Sequence, residues 1–364
     1  MNVYLDNNAT TPIDPRVLEA MVEQLQHSPA NPSSTHRFGQ MARQAIRGAR
    51  AQIARALRVK EEELTFTSGA TEALATLLLS LGKNGHIITS AIEHLSILQT
   101  AHHLEKQGSG VTYLPVGSSG AVSRAQVEVA ITPKTGLIVL GSANSETGVK
   151  NPIEEIAELA ASREIPFVVD GVGLFGKEPM ALVPGISAFV VAGHKIHGPP
   201  GIGLLWAKAS FEPLLRGGGQ EFKRRAGTEN VPAIVGLAKA IELLSNELPA
   251  ATERMRRLRN RLESRLKEAI PSILINGTGP RAPHVSSITF PDQDGELLLI
   301  KLDEAGIAIS LGSACSSGAL EPSHVLRAMG VPHDLARSSL RFSLSRLTTE
   351  EEIDYCVKTL VGLC

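Results

Sequence analysis

Several stretches of this chain carry side chains that could do chemistry together. Thr67-Ser68-Gly69-Ala70-Thr71-Glu72 falls between a strand-like run and a helical one. Small residues there let backbone N–H groups and hydroxyls converge on an anion, helped by a helix N-terminus, although plain helix capping accounts for the same pattern. Asp170 closes the apolar run PFVVD. A carboxylate so placed is costly unless it meets a donor or a cation, and open α/β sheets put ligands at such strand ends. A capping aspartate is the plainer alternative. Ala192-Gly193-His194-Lys195 ends another apolar run. A lysine stripped of water there becomes an amine nucleophile, whereas most lysines are merely solvated. Cys315 sits among small residues in Gly312-Ser313-Ala314-Cys315-Ser316-Ser317-Gly318, surroundings that suit an exposed loop and a reactive thiol. Cys356 lies on the apolar side of a helical run and reads as packing, and Cys364 is terminal.

Other signals are weaker. His194 and His197 have no carboxylate or thiol at ligand spacing, so no metal site is expected. The glycine-rich Gly217-Gly218-Gly219-Gln220-Glu221 and the basic stretch through Arg225 fit either a hinge or a second anion contact. There is no G-x-G-x-x-G or G-x-x-x-x-G-K-[ST] run to support a dinucleotide or P-loop reading. The combination is more specific than its parts. An anion nest, a strand-end carboxylate, a desolvated lysine and a loop thiol are what pyridoxal-phosphate chemistry on a sulfur amino acid requires.

Such residues need a scaffold to bring them together. Apolar runs at 63–67, 86–90, 137–143, 167–170, 187–192 and 202–206 alternate with helical stretches at 70–81 and 93–106. Strands interleaved with helices predict a mostly parallel sheet covered on both faces, an α/β architecture. Beyond residue 245 the pattern changes. A charged helix at 253–267 carries Met255, Leu258, Leu262 and Leu266 at helical spacing, which reads as a solvated connector rather than a nucleic-acid surface. Strand–helix–strand units at 285–290, 296–303 and 308–310 follow. The chain closes with a helix whose Thr349 and Glu352 form a capping box. We therefore expect a large domain at 14–250 and a smaller α+β domain at 1–13 and 251–364.

Composition narrows the class further. The 364 residues are 43% apolar and 20% charged, ordinary for a globular chain. With 36 basic against 37 acidic side chains, the net charge of −1 argues against a polyanion surface. Three cysteines exclude a disulfide scaffold and suit a reducing compartment. The start MNVYLDNNATTP lacks the basic and apolar regions of a secretion signal, and no run is long enough to span a membrane. A cytoplasmic protein without direct nucleic-acid contact is expected.

With these residues in place, the sequence resembles the cysteine desulfurases of the NifS/IscS type, a class V aminotransferase branch of the fold-type I pyridoxal-phosphate transferases. The resemblance runs nearly end to end. It is carried by YLDNNATTP (4–12), NPSSTHRFG (31–39), FTSGATEA (66–73), the pair Glu93-His94, GHKIHGPPGIG (193–203), GGGQE (217–221), RAGTENVPA (225–233), GSACSSGALEPSHVLRAMG (312–330) and RFSLSRLTTEEEID (341–354). It implies that Lys195 holds pyridoxal 5'-phosphate covalently and moves the Cα proton. It implies that Asp170 pairs with the pyridine nitrogen and that His94 stacks on the ring. Ala70, Thr71 and His194 would bind the phosphate, and Thr228 of the partner subunit would reach it in a homodimer. Arg341, with Asn31 nearby, would hold the substrate carboxylate. Cys315 would take the sulfur of L-cysteine, releasing L-alanine and passing a persulfide to an acceptor protein in iron–sulfur cluster assembly or tRNA thiolation.

Some positions depart from the family pattern. Ser145 stands where a second asparagine is usual, Gly173 where relatives carry a glutamine, Ala192 in place of a serine and Ala75 in place of an asparagine. A hydrogen bond to a charged group is worth roughly 1.5–3 kcal/mol, so a more loosely held cofactor is expected. These departures leave two alternatives beside an active desulfurase. One is a weakened paralogue acting mainly as a dimeric sulfur carrier or assembly partner. The other is a different pyridoxal-phosphate lyase, such as a selenocysteine lyase.

Overall fold

Short apolar runs become strands because both of their faces find cover. In the computed structural model, which describes residues 1–27, 30–311 and 322–364, the strands begin with β1 (Val3–Tyr4), β2 (Leu64–Thr67), β3 (His86–Ser90) and β4 (Gly110–Leu114). Next come β5 (Thr135–Gly141), β6 (Phe167–Asp170), β7 (Ala188–Ala192) and β8 (Gly203–Ala207). The last four are β9 (Leu274–Ile275), β10 (Val285–Thr289), β11 (Ile307–Ala308) and β12 (Ser339–Ser343). The helices start with α1 (Pro15–His27), α2 (Arg37–Leu57), α3 (Ala70–Leu81), α4 (Leu95–Lys106), α5 (Arg124–Ala130) and α6 (Ile153–Ser162). They continue with α7 (Val231–Ala269), α8 (Gly295–Glu304), α9 (His324–Ala328), α10 (His333–Arg337) and α11 (Glu350–Leu363).

The central sheet has seven strands in the order β2-β8-β7-β6-β5-β3-β4. Strand β8 runs antiparallel to both of its neighbours, and the other pairings are parallel. Successive side chains point to opposite faces. Thus Phe167 and Val169 of β6 join one core with Ile138, Leu140, Val191 and Ile234, while Val168 joins another with Leu74, Leu77, Val139 and Val190. Burial on both faces explains why these runs are continuously apolar. The expected α/β architecture is what the chain adopts.

A three-stranded sheet (β12-β10-β9) and a two-stranded one (β1-β11) share a separate core with α8, α11 and the end of α7. Helix α7 runs through both cores. Val231, Ile234, Leu237 and Ile241 pack in the first, and Leu258, Leu262 and Leu266 in the second. The charged stretch expected as a separate connector is therefore the second half of one helix of 39 residues, with its apolar stripe buried. Several other boundaries moved by one or two residues, as at β5, which spans Thr135–Gly141 rather than 137–143. The helix expected from residue 93 begins at Leu95, with His94 as its N-cap, and the strand expected from residue 63 begins at Leu64.

Helix α11 starts at the expected capping box and buries Ile353, Cys356, Val357 and Leu360. Burial pushes the Cys356 thiol up to about 12, which leaves it unreactive. Cys356→Ser should lower stability by about 1–3 kcal/mol, the cost of burying a hydroxyl without a partner. Urea unfolding measures this, and turnover should not change. Among the described residues, no helix is long and apolar enough to cross a membrane.

Candidate active site

Parallel strands deliver their carboxyl ends to one edge, and a cavity of about 640 Å³ opens there. Asp170 at the end of β6, Ala192 at the end of β7 and Gly141 at the end of β5 line it, together with His94, His194, Lys195, Ser145 and Arg341. Ala70 and Thr71, in the first turn of α3, also line it. Gly69 gives that helix no side-chain cap, and the Glu72 carboxylate accepts the Ser68 N–H at 2.8 Å and pairs with Arg225 at 3.1 Å. Gly203 makes the close approach possible, since a Cβ there would stand 2.6 Å from the Gly69 carbonyl carbon.

Each functional side chain is held by the elements around it. The Lys195 ammonium donates to the Asn8 carbonyl and, at 2.9 Å, to the Ala9 carbonyl. Asn8 is fixed in turn by donating to the Ser145 carbonyl at 2.7 Å and by the His284 Nε2 contact to its Oδ1 at 2.8 Å. Asp170 accepts the Val172 N–H at 2.9 Å. Burial pushes its carboxyl above the usual range, while Val172, His94 and Lys195 oppose that shift. Burial lowers His94, with the Asp170 charge opposing the shift and that of Lys195 adding to it. Burial, with Lys195 beside it, likewise pushes His194 down to about 4. His197 bonds the Pro12 carbonyl through Nδ1 at 2.8 Å, a structural use of its ring. Arg341 is buried and pairs with Asp6 at 2.7 Å on the far side of the same cavity.

Some expected residues lie elsewhere. Asn31 is exposed, accepts the Ser33 N–H at 2.8 Å and does not line the cavity with Arg341. Thr228 is also exposed and outside it. Cys315 falls outside the described residues. At Gly173, a Cβ would lie 2.3 Å from the Ala143 carbonyl oxygen, so this backbone admits no side chain there without shifting.

The family model for class-V aminotransferases matches residues 3–356. The chain belongs to the class-V aminotransferase family. It is 45% identical over 366 residues to a cysteine desulfurase of Nostoc sp. (strain PCC 7120), covering 98% of this chain and 92% of the relative. It is 47% identical over 365 residues to a cysteine desulfurase of Klebsiella pneumoniae, covering 98% and 91%. Among solved structures, a NifS-like protein superposes with a TM-score of 0.93 at 35% identity, covering all of this chain and 99% of that one.

Members of this family work with pyridoxal phosphate. The donor set of the class-V site fits that group. A helix start without a side-chain cap suits its phosphate, a buried strand-end carboxylate suits its ring nitrogen, and an amine held by two carbonyls suits its aldehyde.

Two buried carboxyls stand beside these groups, and the sequence did not single them out for a role. Glu93 accepts the Ser90 hydroxyl at 2.6 Å and the Gly141 N–H at 2.9 Å, tying β3 to β5. Burial, with Asp170 nearby, pushes it up to about 7. Glu146 is also raised to about 7 by burial, against Ser323 and Arg341. The available signal for Glu93 was an acidic residue just after the strand-like run at 86–90; Glu146, behind Asn144 and Ser145, carried none. The sign of the pH effect follows from linkage. The folded carboxyl keeps its proton up to about 7 whereas the unfolded one releases it near 4.5, so stability falls as pH rises through that window. The cofactor-free parent should therefore lose stability between about pH 5 and 8, by up to ~3 kcal/mol per group. Glu93→Gln should remove about half of that loss, leaving the part due to Glu146. Urea midpoints at the two pH values measure it, and an undiminished loss in the variant would show that Glu93 ionises freely.

Proposed function

We propose that the chain is a pyridoxal-phosphate-dependent cysteine desulfurase, which converts L-cysteine to L-alanine and carries the sulfur as a persulfide on Cys315. The observation that carries this reading is the gathering of Lys195, Asp170 and His94 at one strand edge, with Arg341 across the same cavity. Bound pyridoxal phosphate supplies an electron sink for the carbon next to the substrate's amino group. The protein does the rest. Ala70 and Thr71 offer N–H groups to the phosphate, and His194, neutral in its buried place, adds a ring nitrogen. Asp170 holds the proton of the pyridine nitrogen, so the ring stays electron-poor. Lys195 forms the covalent link and moves the Cα proton. Arg341 receives the substrate carboxylate, which fixes the thiol's direction. Ser145, whose carbonyl accepts from Asn8, would line the cofactor's place in the cavity.

Thr228 of the partner subunit completes the phosphate site, and Asn31 reaches a substrate only through the same pairing, in a homodimer. The exposed apolar residues Leu18, Val22 and Leu25 on α1 and Phe38 on α2 support a covered face. The persulfide is passed to an acceptor protein of iron–sulfur assembly or tRNA thiolation, in the cytoplasm. The weakened-paralogue reading has less support, because Lys195, Asp170, His94 and Arg341 are all retained around one cavity.

The purified protein, loaded with pyridoxal phosphate and given cysteine and a thiol reductant, should release alanine and sulfide in equal amounts. Cys315→Ser should keep the cysteine-dependent absorbance change and release almost no sulfide, because a hydroxyl is a poor sulfur acceptor. Alanine formation at the parent rate in that variant would instead indicate a lyase that does not pass sulfur through Cys315.

A further inference from the structure

The cavity contains a third imidazole, which the roles above leave unused. His324, at the start of α9, lines it and is half-buried. Its segment is firmly set. Val325, Leu326 and Met329 are buried in the main core, and the Ser323 hydroxyl caps the helix by accepting the Leu326 N–H at 3.1 Å. The Nε2 of His324 lies 3.1 Å from the Glu93 carbonyl oxygen. A carbonyl only accepts, so Nε2 carries the hydrogen, and the neutral ring leaves Nδ1 as a bare lone pair. Among the described residues, nothing bonds that Nδ1.

His94 is tied in the opposite sense. Its Nδ1 accepts the Ser96 N–H at 3.1 Å and lies 2.7 Å from the Ser96 hydroxyl. A backbone N–H only donates, so this Nδ1 is the acceptor and the neutral ring carries its hydrogen on Nε2, the nitrogen turned away from α4. Both rings hold the same tautomer but offer opposite ends. His94 presents a donor, and it could take another proton only by giving up the cap of α4. His324 presents an acceptor.

We propose that His324 accepts the proton of the substrate thiol in this active site, leaving the Cα proton to Lys195 and the donor role to His94. The proposal rests on the desulfurase reading. As the Cβ–Sγ bond of the bound cysteine breaks, its electron pair stays with the β-carbon. The departing sulfur bonds to the electron pair of the acceptor thiolate, and its proton passes to Nδ1 of His324. Protonation of the β-carbon and return of the Cα proton by Lys195 then give alanine. The charged and titratable groups around His324 are His94 with Lys195 and Asp170 behind it, Glu93 with its carboxyl turned to Ser90 and Gly141, Glu146 held by Ser323, Arg341 beside Glu146, and Arg327 one turn along α9.

The test compares the cofactor-loaded parent with His324→Gln, whose amide can still donate to the Glu93 carbonyl but cannot act as a base. Alanine formation, measured from pH 6 to 9, should fall on the order of 10²-fold and lose its acid-side limb. His324→Ala should be similarly slow and partly rescued by free imidazole. A rate within about two-fold of the parent with the same acid limb would overturn the proposal. A second readout needs no turnover. In histidine-labelled protein without cofactor, ¹⁵N shifts should show both His94 and His324 protonated on Nε2 when neutral, and a neutral His324 protonated on Nδ1 would overturn the proposal. If the parent makes no alanine from cysteine, the desulfurase reading fails, while the ¹⁵N spectra still decide which nitrogen of His324 is bare.

Discussion

Lys195→Ala is expected to lower alanine release from cysteine by roughly 10⁴-fold, the upper range for removing one proton-transfer group, since the same side chain is also the covalent anchor. The geometry makes a substitute for it unavailable. The ammonium is oriented by the Asn8 and Ala9 carbonyls, and Asn8 is locked by Ser145 and His284. Lys177, the other lysine buried nearby, is pushed down to about 7 by burial and by the charges of Lys195 and Arg346, but it does not line the cavity. Borohydride treatment of the yellow parent should fix the cofactor to Lys195, and the variant should take up no label. Label recovered from Lys177, or from any other lysine, would defeat the assignment.

Arg346→Met is expected to cost about 3–5 kcal/mol of stability, the usual penalty for removing one partner of a buried ion pair. Arg346 is 5% exposed and pairs with the buried Asp14 and, at 2.7 Å, with Glu247 of α7. Arg16 pairs with the same two acids, so four side chains join the start of α1, the middle of α7 and the segment after β12. Hydrogen bonds from Arg16 hold the Asp14 carboxyl well below the usual range, against its burial and with help from Arg346. Its contribution is therefore complete above the unfolded value of 3.8 and disappears only as pH falls into strong acid. Urea unfolding at pH 7 gives the size of the loss. A change below about 1 kcal/mol would mean that Arg16 alone satisfies Asp14.

Long apolar runs were the most legible part of the sequence. The residues of β6 and β3 and the whole of α3 follow directly from the sequence pattern, because burial on two faces keeps their middles apolar and leaves polar residues to the ends. The two-residue strands β1, β9 and β11 could not be read that way, since their pairing is set by partners distant in sequence, such as Val3 with Ile307. The charged composition after residue 245 misled the reading of α7. The charged run at 253–267 reads as a connector of its own, yet it is continuous with the apolar half of one helix that passes through Pro249. At the site, Asp170 and Lys195 were visible because each follows an apolar strand, whereas His94 came only from the family resemblance. The use made of Asn8, Glu93 and His324 depends on which ring nitrogen, carbonyl or amide each one meets, and sequence does not record that. Gly173 was read as a lost hydrogen bond. The Ala143 carbonyl adds that the space for a side chain is missing as well.

Helix α7 sets how the molecule comes apart. At a rise of about 1.5 Å per residue, its 39 residues extend nearly 60 Å, and each half is covered by a different core. Opening either core strips half the helix, and a half-helix standing in water is a poor local minimum. Partial melting is therefore penalised at both ends, and the backbone amides of the two cores exchange with solvent through one shared opening. The catalytic strand edge in one core and Arg341 in the other remain assembled or are lost together.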